Sequence, residues 1–89
     1  MTNEKNTGVA AKATPKPNFL NDMQLLDAIV EADSGNMLAY SRIISMIFDP
    51  ENKKIFYDSI REEDGRVPLD RIAEKIKEII LEAGEQGKN

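Results

Sequence analysis

Eighty-nine residues fit one domain, and a chain this short buries a modest share of its surface, so complex formation or self-association is expected to add to its stability. The absence of Cys and His rules out disulfides, thiolate and imidazole metal ligands, and the commonest general base, so no cofactor or catalytic chemistry is expected. Twelve Lys plus Arg against sixteen Asp plus Glu leave a formal net charge of −4, a poor footprint for neutralising phosphates, which makes a nucleic-acid partner unfavoured and proteins the expected partners.

Met1 to Pro17 is built from Thr, Asn, Lys, Ala, Gly and Pro, with Val9 its one larger aliphatic residue after the initiator. Such a segment cannot bury enough surface to offset the entropy of ordering, so residues 1–17 are predicted to be a disordered tail. Lys5, Lys12 and Lys16 stand there against Glu4, which leaves the remaining 72 residues at a net −6. Pro15 and Pro17 favour extended backbone before them and mark a boundary ahead of a single helical domain spanning 18–84.

Phe19, Leu20, Met23, Leu26, Ile29 and Val30 recur at three- and four-residue spacing, which predicts a first helix from about Asp22 to Asp33 with these residues inward. Asn21 with Gln24 three residues on has capping-box chemistry. Ser34 and Gly35 are expected to stop the helix, Gly35 through the left-handed conformation. Asn36 is expected to cap a second helix through about Phe48, whose Met37, Leu38, Ile43, Ile44, Ile47 and Phe48 cover a broad face and mark it as the central helix.

Asp49 and Pro50 supply a cap and a first helical position for a third helix to about Glu62, with Ile55, Phe56 and Ile60 inward. Asp64 and Gly65 close it as a turn. A fourth helix, from about Pro68 to Ala83, carries Leu69, Ile72, Ile76, Ile79 and Ile80 on one stripe, with Gly84 ending it and residues 85–89 fraying. Short connections between four helices imply antiparallel neighbours, an all-α bundle around one core.

No apolar stretch approaches the roughly 20 residues that span a bilayer, and the N-terminus lacks the basic-then-apolar order of a secretion signal, so no membrane partner and a cytoplasmic location are expected. Glu62-Glu63-Asp64-Gly65-Arg66 looks superficially like part of a calcium loop. Setting Gly65 at the invariant sixth position, however, puts Ile60 at the first ligand position and Arg71 where a bidentate Glu is needed. The second and third helices resemble a helix-turn-helix reader, for which Asn52, Lys53, Lys54 and Arg61 would be the base-contacting candidates, but the acidic chain opposes it. Met23, Met37 and Met46, with Tyr40 and Phe48, supply more apolar surface than one small bundle needs, and Met suits adaptable contacts. Leu25, Met37, Tyr40 and Met46 are the candidate protein-binding residues.

Three stretches resemble the tail assembly chaperones, short proteins encoded just ahead of the tape-measure gene in tailed phages and prophages of Gram-positive bacteria. Asn21 to Gly35 is similar to that family's Leu-Leu-Glu-Ala-Leu helix and its acidic, Gly-containing turn. The apolar segment from Met37 to Phe48 follows. Arg61-Glu62-Glu63-Asp64-Gly65-Arg66-Val67-Pro68 is similar to the family's Arg-x-Glu-Asp-Gly-Arg-Val-Pro run. The likeness covers roughly Phe19 to Ala83, with Asp49-Pro50-Glu51 standing where many relatives place a Gly-Glu pair. It implies a non-enzymatic chaperone in the bacterial host cytoplasm that keeps a helical, tape-measure-like client soluble until tail-tube polymerisation. The other function class open to such a chain is a small phage or host regulator that binds a protein target or DNA.

Overall fold

The computed structural model describes residues 12–87, and these form four α-helices: α1 (Met23–Asp33), α2 (Ala39–Ile47), α3 (Pro50–Ile60) and α4 (Leu69–Gly87). No strand occurs among the described residues, so the all-α architecture expected from periodicity is the one observed. The body measures 42 × 35 × 20 Å, and its thin dimension is about two helix diameters of 10–12 Å each. In a plate two helices thick, every helix keeps an outer face that no other helix covers.

Local chemistry sets most boundaries. Asp22, extended at φ −154°, accepts from the Gln24 N–H at 2.9 Å and caps α1, one residue later than the Asn21 expected from the sequence. Asn21 instead donates its N–H to the Asn18 carbonyl in a turn where Asn18 takes φ +57°, a left-handed value that Asn tolerates better than most residues. At the other end of α1, Gly35 sits at φ +108° and donates to Ala32 O, while Asn36 donates to Glu31 O. This pair of bonds is the Schellman closure that Gly permits.

α2 begins three residues after Asn36, because Asn36, Met37 and Leu38 form a lead-in turn in which Asn36 Oδ1 accepts from Leu38 N–H at 3.2 Å. Asp49, extended before Pro50, caps α3 by accepting from Asn52 N–H at 2.8 Å, with Pro50 in the first turn as its fixed φ favours. That capping lowers the Asp49 pKa below its ordinary 3.8, chiefly through the Asn52 backbone and side-chain hydrogen bonds, with Lys16 assisting. Its contribution is complete above the ordinary value and disappears as pH falls through the lowered one. Asp49→Ala is therefore expected to lower Tm at pH 7, with the gap to wild type narrowing as the pH drops below 3.8; a gap that stayed constant in acid would remove the cap from the argument.

The Arg61–Pro68 connection is held by its own side chains. Arg61 donates to Gly65 O at 2.8 Å, Glu62 N–H donates to Arg66 O, and Arg66 meets Asp64 at 3.0 Å, around a Gly65 at φ +92°. Val67 then packs against the core. α4 does not end at Gly84 but runs on to Gly87: one Gly costs a helix interior only about 1 kcal/mol relative to Ala, too little to break nineteen residues of otherwise good helix formers.

Leu25, Ala28 and Ala32 of α1, Ala39, Ile43, Ile44 and Ile47 of α2, with Phe48, Phe56, Ile60, Ile72 and Ile76, make one buried cluster. α2 meets α1, α3 and α4, which is the central place its broad apolar face predicted. The inward face of α1 differs from the expected stripe. Leu25 is 0% exposed whereas Leu26 is 41% exposed, with Met23 and Val30 further out still. Both stripes have helical spacing; the one carrying Ala28 and Ala32 lets α1 approach α2 closely, whereas Leu26 and Val30 would hold the axes apart.

The N-terminal arm joins the body earlier than composition predicted. Lys16 N–H donates to Ile47 O at 2.7 Å, Thr14 N–H donates to Asn52 Oδ1 at 2.9 Å, and Ala13 packs against the core. These bonds take in residues 12–17 of the segment read as tail because carbonyls and side chains freed at the α2–α3 junction offer acceptors that composition cannot reveal. The remainder of that tail, residues 1–11, and the last two residues of the predicted frayed end lie outside the described residues.

Candidate functional site

Between α1 and α4, with α2 as its floor, lies an open groove of about 330 Å³. Tyr40 and Ile43 form the floor, Ile29 and Ala32 the α1 wall, and Ala73, Ile76, Ile80 and Leu81 the α4 wall, with Asp33, Glu74 and Lys77 also lining it. Small side chains face the gap from both sides, Ala32 from α1 and Ala73 from α4. Larger residues at those two positions would fill it.

The groove continues onto an exposed apolar surface. At 100° per residue, the apolar residues of α1 run from Ala28 through Ala32, Leu25 and Ile29 to Leu26, Val30 and Met23, an arc of about 220° broken only by Asp33. A surface helix needs an apolar stripe of about 100° to face its own core. α2 covers the first part of the arc, the groove edge uses the middle, and Met23, Leu26 and Val30 are left outward. On α4, Leu81 is 62% exposed and lies roughly 140° round the helix from the buried Ile76.

The four residues expected to bind protein fall in different places. Tyr40 lines the groove floor, half-buried. Met37 is 60% exposed, one turn ahead of Tyr40 in the lead-in to α2, next to the almost fully exposed Leu38. Met46 is half-buried against the core and lies about 120° round α2 from Tyr40, away from the groove. Leu25 is a correction: with no exposure it belongs to the α1–α2 seam, because the tight helix pairing selects that face of α1. Ile29, Ile80 and Leu81 were missed as groove residues; the signal available was the run Ile79-Ile80-Leu81, which spans about 200° of α4, wider than the stripe a helix at the edge of a bundle needs for its own core.

A larger cleft of about 1120 Å³ separates the N-terminal arm from the opposite flank of α4. Size is a poor guide here. Its aromatic floor, Phe48 and Phe56, is already buried, and its edges carry Lys12, Lys16, Lys75, Glu78 and Glu82. The smaller groove opens onto unburied aliphatics and is the better place for an apolar occupant.

Several charged groups outside the groove are engaged with one another. Glu62 and Asp64 pair with Arg66. Asp58 is held below the usual carboxylate range by hydrogen bonds from Lys54 and then Arg61. The side chains that a helix-turn-helix reading would send to bases are similarly occupied: Asn52 bonds to Asp49 and Thr14, Lys53 to Ser45 Oγ at 2.9 Å, Lys54 to Asp58, and Arg61 to Asp58 and Gly65 O. No helix among the described residues is long and apolar enough to cross a membrane.

Fold and groove together define an all-α protein with an open apolar groove formed by three of its helices. No family model, curated protein or solved structure matches the chain.

Proposed function

We propose that this chain is a non-enzymatic, protein-binding chaperone of the tail assembly type, which seats amphipathic helices of a long, tape-measure-like client in the groove between α1, α2 and α4. The observation that carries the reading is the apolar arc of α1, which is about twice as wide as its own core requires and runs from the α1–α2 seam through the groove wall to Met23, Leu26 and Val30. An exposed surface of that kind is stabilised by covering it. A helical client presents side chains at i, i+3, i+4 and i+7, and a groove of about 330 Å³ takes a few such anchors and not a whole second domain.

The resemblance of Asn21 to Gly35, Met37 to Phe48 and Arg61 to Pro68 to the tail assembly chaperones supports the client class. The acidic balance of the chain keeps a loaded complex soluble. Moderate affinity per copy, with many copies along one client, permits displacement by tube subunits. Such a protein acts in the bacterial cytoplasm, where its client is made. The engagement of Asn52, Lys53, Lys54 and Arg61 within the fold favours a protein partner over DNA.

Co-expression with a tape-measure-like helical fragment is expected to move that fragment from the pellet to the supernatant. Leu81→Lys, at an exposed position, is expected to leave Tm nearly unchanged and to weaken client binding about 30-fold, the size of an interface hot spot. Undiminished rescue by Leu81→Lys would place the client elsewhere. Absence of rescue by the wild type, together with a DNA mobility shift that survives moderate salt, would overturn the chaperone reading.

A further inference from the structure

The groove is not electrically symmetrical. Its α1 wall carries Asp33 as the last residue of the helix, exposed and without an ion pair among the described residues. The last turn of α1 contains no basic residue, so the negative end of the helix dipole adds to the Asp33 carboxylate instead of being offset. The α4 wall is different. Glu74 and Lys77 both line it, three residues apart on the same helix, and their charges oppose each other.

We infer that the groove takes an amphipathic helix in one lateral orientation, with a flank of lysine or arginine bordering its apolar stripe laid against Asp33 and the α1 wall. The inference rests on the protein-binding reading above and specifies the chemistry of its partner. Charge complementarity also argues against a second copy as occupant, since each chain carries a net −4 and brings no excess of cations to the contact.

Two peptides test this, with one apolar stripe at i, i+3, i+4 and i+7 and differing in one flank, lysine in the first and glutamate in the second. Fluorescence anisotropy with the full chain is expected to show the lysine peptide binding about fivefold to tenfold tighter in low salt, with the difference shrinking sharply at high ionic strength. Asp33→Lys is expected to reverse the preference. The position is exposed at a helix C-terminus, where a cation is favourable, so helical circular dichroism and Tm should be maintained and loss of folding does not confuse the result.

Equal affinity for both peptides, or a preference that Asp33→Lys leaves unchanged, overturns the charge inference while leaving the groove reading intact. Failure of both peptides to bind at any salt overturns the groove reading and this inference with it. Sedimentation showing a dimer that Leu81→Lys dissociates would make a second copy the occupant and would also overturn it.

Discussion

Leu25→Ala is expected to cost about 2–5 kcal/mol, while the same truncation one residue along, Leu26→Ala, costs about 1 kcal/mol or less. The difference follows from where each side chain ends. Leu25 is 0% exposed in the seam between α1 and α2, where it packs in one cluster with Ala28, Ile43 and Ile47, and truncation there leaves a cavity that closely packed neighbours cannot close. Leu26 is 41% exposed, so its loss removes a partial contact and opens the site to water. A domain of this length has a total stability on the order of 4–13 kcal/mol, so the first change removes a large part of it and the second does not. Urea melts with equal m-values for the two variants would measure the contrast directly, and similar midpoints would mean that α1 presents a different face to α2.

Phe48→Ala is expected to be at least as severe, about 3–5 kcal/mol. Phe48 is 2% exposed and stacks on Phe56 with ring centroids 4.8 Å apart and planes at 29°. Offset aromatic pairs of this kind contribute about 0.5–1.5 kcal/mol beyond the area they bury. The position also links three parts of the chain: it ends α2, precedes the Asp49 cap of α3, and adjoins Ile47, whose carbonyl accepts from Lys16 N–H. Removing the ring should therefore loosen the N-terminal arm as well as the core. Hydrogen exchange at the Lys16 amide is expected to lose protection in Phe48→Ala to a greater extent than amides in the middle of α1. If the variant melted like wild type with Lys16 still protected, the α2–α3 junction would not be the point that ties the arm to the body.

The chaperone proposal and the core predictions are separable because they use different faces of the same helices. Leu25 and Ala28 hold α1 on α2, whereas Leu26, Val30 and Leu81 contribute little to that packing and remain available. Substitutions at the outer set are expected to change binding with the fold intact. Substitutions at the inner set remove both together.

Helix number, approximate limits and the central role of α2 were readable from residue order, because caps, prolines and Gly35 or Gly65 act through bonds to near neighbours in the chain. Asp49 bonding Asn52 and Gly35 taking positive φ need no distant partner. Which stripe of α1 faces inward was not readable, since Leu25-Ala28-Ile29-Ala32 and Met23-Leu26-Val30 share the same helical spacing. The choice depends on how near α2 can come, and alanines allow the closer approach. The same non-local term put Leu25 out of reach of any partner, left Leu81 in the open, and drew residues 12–17 onto carbonyls and side chains at the α2–α3 junction. Periodicity can show that a helix is more apolar than its own core requires. Where the surplus lies is settled when neighbouring helices, competing for the same faces, leave some of them uncovered.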